Sequence, residues 1–367
     1  MMGGTPEAPS DLARAFVEAF AAHPPGALIR NAETTMTLYD WTGVPVPLTV
    51  NDRERNVTFV CSPRVAWTGF VRDELALFPN QWLVPPIRGL VRAIEGLTWF
   101  SELDRIVHVN NWMMSTNLPS GIDPSTAARQ TSDLVERYPG HILAMRSLTR
   151  RHAGSLMSAL EDAGWIFLPA RQVFLVDDMQ DALKRRDARN DERLWQTTAF
   201  RYEELAEVSE EDAARIVTLY QMLYRQKYSQ LNPDYTPGFV QLAHRLRLLR
   251  FLVLRDASDV IQAVGGLHML NGHAAMPLLG YNTALPQSEG LYRLACHAGS
   301  RFAAHHGLCF NMSSGVGAFK QNRGATAEIE FTAFYVQHLP RRRRIPFGPL
   351  EFIGQGIGIP LLQRYNL

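Results

Sequence analysis

Cysteine is scarce. The 367 residues hold three, Cys61, Cys296 and Cys309, far apart and odd in number. That excludes a disulfide framework, a CxxC redox pair and a cysteine-based zinc set. Thiols so scattered are expected to be buried and reduced, as in a cytoplasmic protein, and no metal is expected. An excess of charge of one sign is also missing: Lys plus Arg total 37 against 36 for Asp plus Glu, a net charge of +1. This excludes a surface built throughout for nucleic acid, though not a local basic patch. No uncharged apolar run approaches the ~20 residues of a spanning helix, which argues against one. Met1 to Ser10 lack a basic region leading into an apolar core, so no signal peptide is expected. What is present is a 46% apolar and 20% charged composition, able to bury a core and long enough for two domains of ordinary size.

The strongest punctuation is Asp181 to Arg193, with nine charged residues in thirteen. It reads as a solvated linker or exposed helix between the strand-like Val173–Val176 and Gln196–Tyr202. The expected organisation is therefore an N-terminal half over 1–180, a charged linker over 181–194, a C-terminal domain over 195–340 and a basic-apolar tail over 341–367. The first half orders as strand 105–109, helix 124–138, strand 141–145, helix 151–163 and strand 165–177. The second orders as helix 210–227, a shorter helix near 239–246, strands 249–255, 260–270 and 273–281, helix 290–306, strand 308–311, a short helix after Gly317 and strand 327–336. Asn271-Gly272 is a strong hairpin dipeptide between two of these strands. The order is α+β, and the two halves look alike in their elements though hardly in their residues.

Three stretches carry a resemblance: Gly290-Leu-Tyr-Arg-Leu294 opening a helix, Phe310-Asn-Met-Ser-Ser-Gly315 after a strand, and Phe319-Lys320 followed by Arg323-Gly324. With the element order, they resemble the GCN5-related N-acetyltransferase superfamily in its two-domain branch of Fem-type and BioF2-like acyltransferases. The resemblance implies tandem acyltransferase domains, each a mixed, mostly antiparallel sheet flanked by helices, with the first half degenerate, serving a structural or acceptor-binding role. It covers about 140 residues of the second half well and the first half only by order of elements.

The leading candidate site is Ser313-Ser314-Gly315-Val316-Gly317-Ala318-Phe319-Lys320. Between a strand and a helix, its backbone N–H groups are expected to converge on an anion, with the two serines, Lys320 and Arg323 adding donors and charge. The alternative is a glycine-rich turn with Lys320 in water. The resemblance implies that two central strands splay apart to admit an acyl donor beside Tyr281, which then protonates the leaving group, with Asn282 as a polar neighbour; the alternative is a hairpin-end tyrosine with its ring in the core and its hydroxyl in water. His268 reads either as a partly buried base near the amine or as a core histidine. Gln226, Lys227, Tyr228 and Asn232 lie in a loop rich in hydrogen-bonding groups; the resemblance implies that this place closes over the acceptor and selects it, and the alternative is a turn at Asn232-Pro-Asp with the rest facing solvent.

The acetyl-CoA signature of the family, Q/R-x-x-G-x-G/A, is only echoed, by Gln287 and Gly290, and Tyr292 stands where a small residue belongs. Tyr292 and Arg293 at the helix start remain candidate phosphate contacts. The expected reaction is direct acyl transfer from an acyl-CoA or acyl-carrier-protein thioester to the amine of a small molecule or peptide. Backbone N–H groups near Tyr281 and Ser313 are expected to hold the oxyanion. The alternatives are a Fem-like ligase using aminoacyl-tRNA and a non-catalytic binding protein. Gly354-Gln-Gly-Ile-Gly358 imitates a dinucleotide loop without the βαβ context, and is read as part of the tail. Residues 338–367 hold five Arg and one Glu. They suit contact with anionic lipid, an acyl carrier protein or tRNA, or else a strap packed on the protein.

Overall fold

The computed structural model describes residues 9–54, 57–76 and 80–365. Eleven strands form one sheet: β1 (Thr35–Trp41), β2 (Val44–Asp52), β3 (Arg105–Val109), β4 (Ile142–Leu148), β5 (Ile166–Val176), β6 (Arg201–Glu204), β7 (Arg250–Arg255), β8 (Ile261–Leu270), β9 (His273–Tyr281), β10 (Cys309–Asn311) and β11 (Thr326–Tyr335). Their spatial order is β1-β2-β3-β4-β11-β5-β10-β9-β8-β7-β6. Only β3 with β4 and β9 with β10 run parallel; the other neighbours are antiparallel. The architecture is thus α+β, as the element order implies, and the mixed, mostly antiparallel sheet flanked by helices that the resemblance implies for each half is here one sheet shared by both.

The two halves are joined through this sheet. β11, from the far end of the chain, lies between β4 and β5 of the first half, pairing Phe334 with Ile166 and Ala333 with Met145. β5 in turn carries β10 on its other edge, through Phe310 opposite Val176. Exchange of these strands makes one continuous sheet across the charged segment where the halves meet in sequence.

Most second-half elements fall where the apolar periodicity puts them, and differences have local causes. Gln196–Tyr202 is not one strand: a helix, Arg186–Thr197, runs into it, and only Arg201–Glu204 is extended. The first helix of the second half changes character at Gln221, where Glu210–Tyr220 continues as a π-helical stretch, Gln221–Tyr228. Such widening is uncommon and concentrates at functional sites. β1, β2 and the helix Val84–Phe100 carry no sequence-based assignment. Pro45 and Pro47 disguise β2; they precede its pairing to β3, which begins at Leu48, and Pro47 meets the segment after β3 only through its carbonyl, which accepts from the Asn111 N–H at 3.0 Å.

The core is split by the sheet. On one face β8 and β9 pack against the helices Glu210–Tyr220 and Pro237–Arg245, with Phe239, Phe251 and Trp112 buried among them. On the other, the helix Leu291–His305 covers Ala263, Leu279 and Leu254. β8 is buried almost end to end, as its near-continuous apolar run requires.

Candidate functional site

β9 and β10 pair over only three residues, His273 to Ala275 opposite Cys309 to Asn311. β9 then continues to Tyr281 with β8 on one side and no strand on the other. Pro277, lacking an N–H for the ladder, stands just past the point where the pairing ends. The result is a notch in the middle of the sheet. Asn282 donates its N–H to the Gln262 carbonyl at 2.8 Å, and Gly280 pairs with Val264. Alternation in an antiparallel pair therefore turns the N–H groups of Leu279 and Tyr281 toward the notch.

Gly280 sets the other wall. A Cβ there would lie 2.6 Å from the Leu219 carbonyl carbon and the Tyr220 nitrogen, so only glycine lets the helix Glu210–Tyr220 cross β9 this closely. That contact places the π-helical stretch against the notch, where Tyr224 and Tyr228 join Tyr281, Tyr292 and Phe319 around Cys296. The Tyr292 ring lies 5.1 Å from Phe319 and 6.0 Å from Tyr281. Burial raises the phenols of Tyr224, Tyr281 and Tyr292, keeping them neutral and able to donate, with the Cys296 thiol adding to the rise at Tyr292. Burial pushes that thiol to about 11, so Cys296 is no thiolate nucleophile at neutral pH.

The Ser313–Lys320 loop borders the notch but is built differently from the anion cradle expected. Ser313, Gly315 and Val316 are left-handed, and the helix Gly317–Gln321 is little over one turn. The loop turns carbonyls inward. Lys320, 4% exposed, donates from Nζ to the Ser314 oxygen at 2.7 Å and the Ser313 oxygen at 3.1 Å. Burial, with Arg171 nearby, lowers its pKa to about 7. It neither points into water nor offers its charge to a phosphate. The Ser313 N–H is also engaged, by Asn311 Oδ1 at 2.8 Å, so the oxyanion donor expected there is not free.

The two arginines assigned to the donor are likewise occupied. Asp191, buried in the charged segment, receives Arg293 Nε at 2.7 Å and Arg323 through Nε and Nη2 at 2.5 and 3.0 Å. Arg323 also stacks on Phe319, 3.5 Å from the ring centre. Asp191, Cys296, His297 and Arg323 enclose a cavity of only about 10 Å³, too tight for a nucleotide. The segment read as a solvated linker or exposed helix is thus largely the helix Arg186–Thr197, and through buried Asp191 it clamps Arg293 and Arg323 of the C-terminal half. Gly290 caps the helix start in a left-handed conformation, and Gln287 is exposed in the preceding turn.

Other assigned residues scatter. His268 is fully buried on the opposite face of the sheet, with Nδ1 3.0 Å from the Leu248 carbonyl oxygen and its ring 5.5 Å from Trp112. It lies five residues along β8 from the partner of Tyr281, about 17 Å. Burial lowers it to about 4. It is a core histidine. Asn232 is buried, donating to the Tyr224 and Ser229 carbonyls to close its loop, and Asn282 caps a turn by accepting from the Ala284 N–H while its amide donates to Gln262 Oε1. Gln226 and Lys227 are exposed, and Tyr228 alone of that group reaches the notch.

Sequence reasoning missed the residues brought in from the first half. Arg171 on β5 binds Glu330 at 2.8 Å, the Ser313 hydroxyl at 3.2 Å and the Ser115 carbonyl at 2.8 Å, a junction between the halves. Glu74, in the short helix Val71–Leu75, feels Arg171 and also influences Tyr228. Burial and Asp73 raise its carboxyl to about 7, against the pull of Arg171. Only tertiary packing could have revealed it, since Glu74 has no motif around it.

Among the described residues one group has a metal-ligating composition: His152, His273 and Cys309, with ligand atoms within 4.8 Å of one another. His152 Nε2 lies 2.9 Å from Asp177, whose other oxygen takes Arg151. His273 opens β9 and Tyr281 closes it, so this group lies at the opposite end of the strand from the notch.

No family profile matches the sequence, and no curated protein does. Among solved structures the chain is similar to L-PGS from Bacillus licheniformis at 13% identity, over 67% of this chain and 82% of that one, with a TM-score of 0.49. It is similar to FemX at 8% identity, over 58% and 78%, with a TM-score of 0.46. A GCN5-related N-acetyltransferase from Kribbella flavida gives 10% identity, 63% and 80% coverage and a TM-score of 0.36.

Proposed function

We propose that the chain is an acyltransferase that forms an amide in the notch beside β9. The observation that supports this most is the open edge of β9 itself, with the N–H groups of Leu279 and Tyr281 aimed into a space ringed by neutral phenols. A donor carbonyl seated there receives the attack of an acceptor amine. The C–N bond forms, and the oxyanion is held by the two backbone donors. Glu74, poised near neutrality, takes the amine proton. The C–S or C–O bond to the leaving group breaks, and Tyr281 supplies its proton. No covalent enzyme intermediate is needed, in keeping with the raised Cys296 thiol.

A thioester, on CoA or on an acyl carrier protein, is the first donor class. Aminoacyl-tRNA is the second; Lys320, Arg293 and Arg323, the cations nearest the notch in the donor loops, are bound to carbonyls or to Asp191 and are held back from the phosphates of either donor. The deciding experiment measures melting temperature against acetyl-CoA, long-chain acyl-CoA, acyl carrier protein and aminoacyl-tRNA, then amide formation by mass spectrometry with the donor that binds. The expected result is a shift with one donor class and a product amide. Tyr281→Phe should lower kcat about 100-fold with little change in donor KM, and Glu74→Gln should abolish the rise in rate through neutral pH. No shift with any donor and no amide would leave a binding protein in its place.

A further inference from the structure

Six of the nine large apolar side chains exposed among the described residues fall in two segments: Trp82, Trp99 and Phe100, then Ile345, Phe352 and Ile357. Trp82 is 91% exposed, Phe352 76% and Trp99 74%, levels that water-facing aromatics seldom reach in such a group. The segments are neighbours in space. Phe347 and Leu350 pack with Ile94 and Leu97. Tyr365 packs with Val84 and Ile87 at the other end of the Val84–Phe100 helix. The C-terminal helix therefore runs antiparallel to that helix, and the two form a layer on the body of the protein.

The layer is basic as well as apolar. Arg88, Arg92, Arg341, Arg342, Arg344 and Arg364 are exposed along it, against only Glu95 and Glu351 in the same segments. Arg343, between them, is buried and bonds the Ser101 carbonyl at 3.0 Å and the Gly140 carbonyl at 2.7 Å, fixing the start of the C-terminal helix. Residues Arg341–Tyr365 are long and apolar enough to cross a membrane, and only 17% of their apolar stretch is buried. They do not cross one in this fold: Phe347 and Leu350 are core residues, and Arg343 ties the helix to the protein. A helix pair with tryptophans, scattered arginines and a buried inner side matches the chemistry of a bilayer interface, where aromatic rings sit among headgroups and guanidinium groups meet anionic lipid.

We propose that this two-helix layer docks the protein on an anionic membrane surface, lying in the headgroup region with Trp82, Trp99, Phe100 and Phe352 inserted. The layer adjoins the notch through Val71–Leu75, whose Leu75 packs beneath it while Asp73 accepts from Ser229. Docking is independent of the reaction assigned to the notch.

The test is co-sedimentation of the full chain with sucrose-loaded vesicles of phosphatidylcholine alone and of phosphatidylcholine with 30 mol% phosphatidylglycerol, about 0.1 M salt. At least tenfold stronger binding to the anionic vesicles is expected, with a blue shift of tryptophan emission. Arg341→Glu/Arg342→Glu/Arg344→Glu and, separately, Trp99→Ala/Phe352→Ala should each weaken binding tenfold or more while leaving the melting temperature and secondary structure unchanged, since these side chains are exposed. Equal binding to neutral vesicles, or no binding, would overturn the proposal. So would reversible dimerisation in sedimentation velocity that Phe352→Asp abolishes, because the layer would then be covered by a second copy.

Discussion

Asp191 offers a sharp test of how the charged segment is used. Its carboxylate is 2% exposed and meets Arg323, 11% exposed, and Arg293, 40% exposed. Asp191→Ala leaves the Arg323 guanidinium with the Phe319 carbonyl and ring, and with Asp187 only at 3.9 Å. Removing one partner of a buried pair costs about 3–5 kcal/mol, because a charge stays behind without compensation. Arg293→Ala removes the more exposed arm and should cost no more than about 1 kcal/mol. Urea unfolding followed by tryptophan emission reads both differences, and the double variant Asp191→Ala/Arg323→Ala should recover much of the loss by removing the stranded charge. If Asp191→Ala unfolds within about 1 kcal/mol of the parent, the segment is a solvated linker and the clamp contributes nothing.

Two further outcomes follow from the site's construction. Gly280→Ala should cost about 1–3 kcal/mol, toward the upper end because the added Cβ meets backbone of the crossing helix. It should also impair any amide-forming activity by shifting Tyr281, and calorimetry with an activity assay checks both. For Lys320 the folded pKa of about 7 lies below the 10.5 of the free side chain. Between these values the unfolded chain binds more protons, so this residue's contribution makes stability rise with pH across that window. In melting curves from pH 7 to pH 9.5, within that window, Lys320→Met should lose this part of the rise. A difference from the parent that does not vary with pH would refute the buried lysine.

Much of the fold was legible because strand and helix periodicities are local. β3 and β9 end where alternation and the Asn271-Gly272 turn put them, and Leu291–His305 starts one residue inside its expected boundary. β2 stayed hidden because Pro45 and Pro47 are tolerated there, ahead of the pairing to β3 that begins at Leu48, a fact about pairing that residue order does not contain. Within the site, the sequence determined that Tyr281 ends a strand and that a glycine-rich turn precedes Lys320. Only tertiary structure decided what those groups do. The notch exists because β10 stops pairing at Asn311, and β11 crosses to the first half and lies between β4 and β5. Lys320, Arg293 and Arg323 read as free cations because their partners, two backbone carbonyls and a carboxylate more than 100 residues away, were chosen by folding. Charge type is written in the sequence, but whether a charge is available depends on what the fold places within about 3 Å of it.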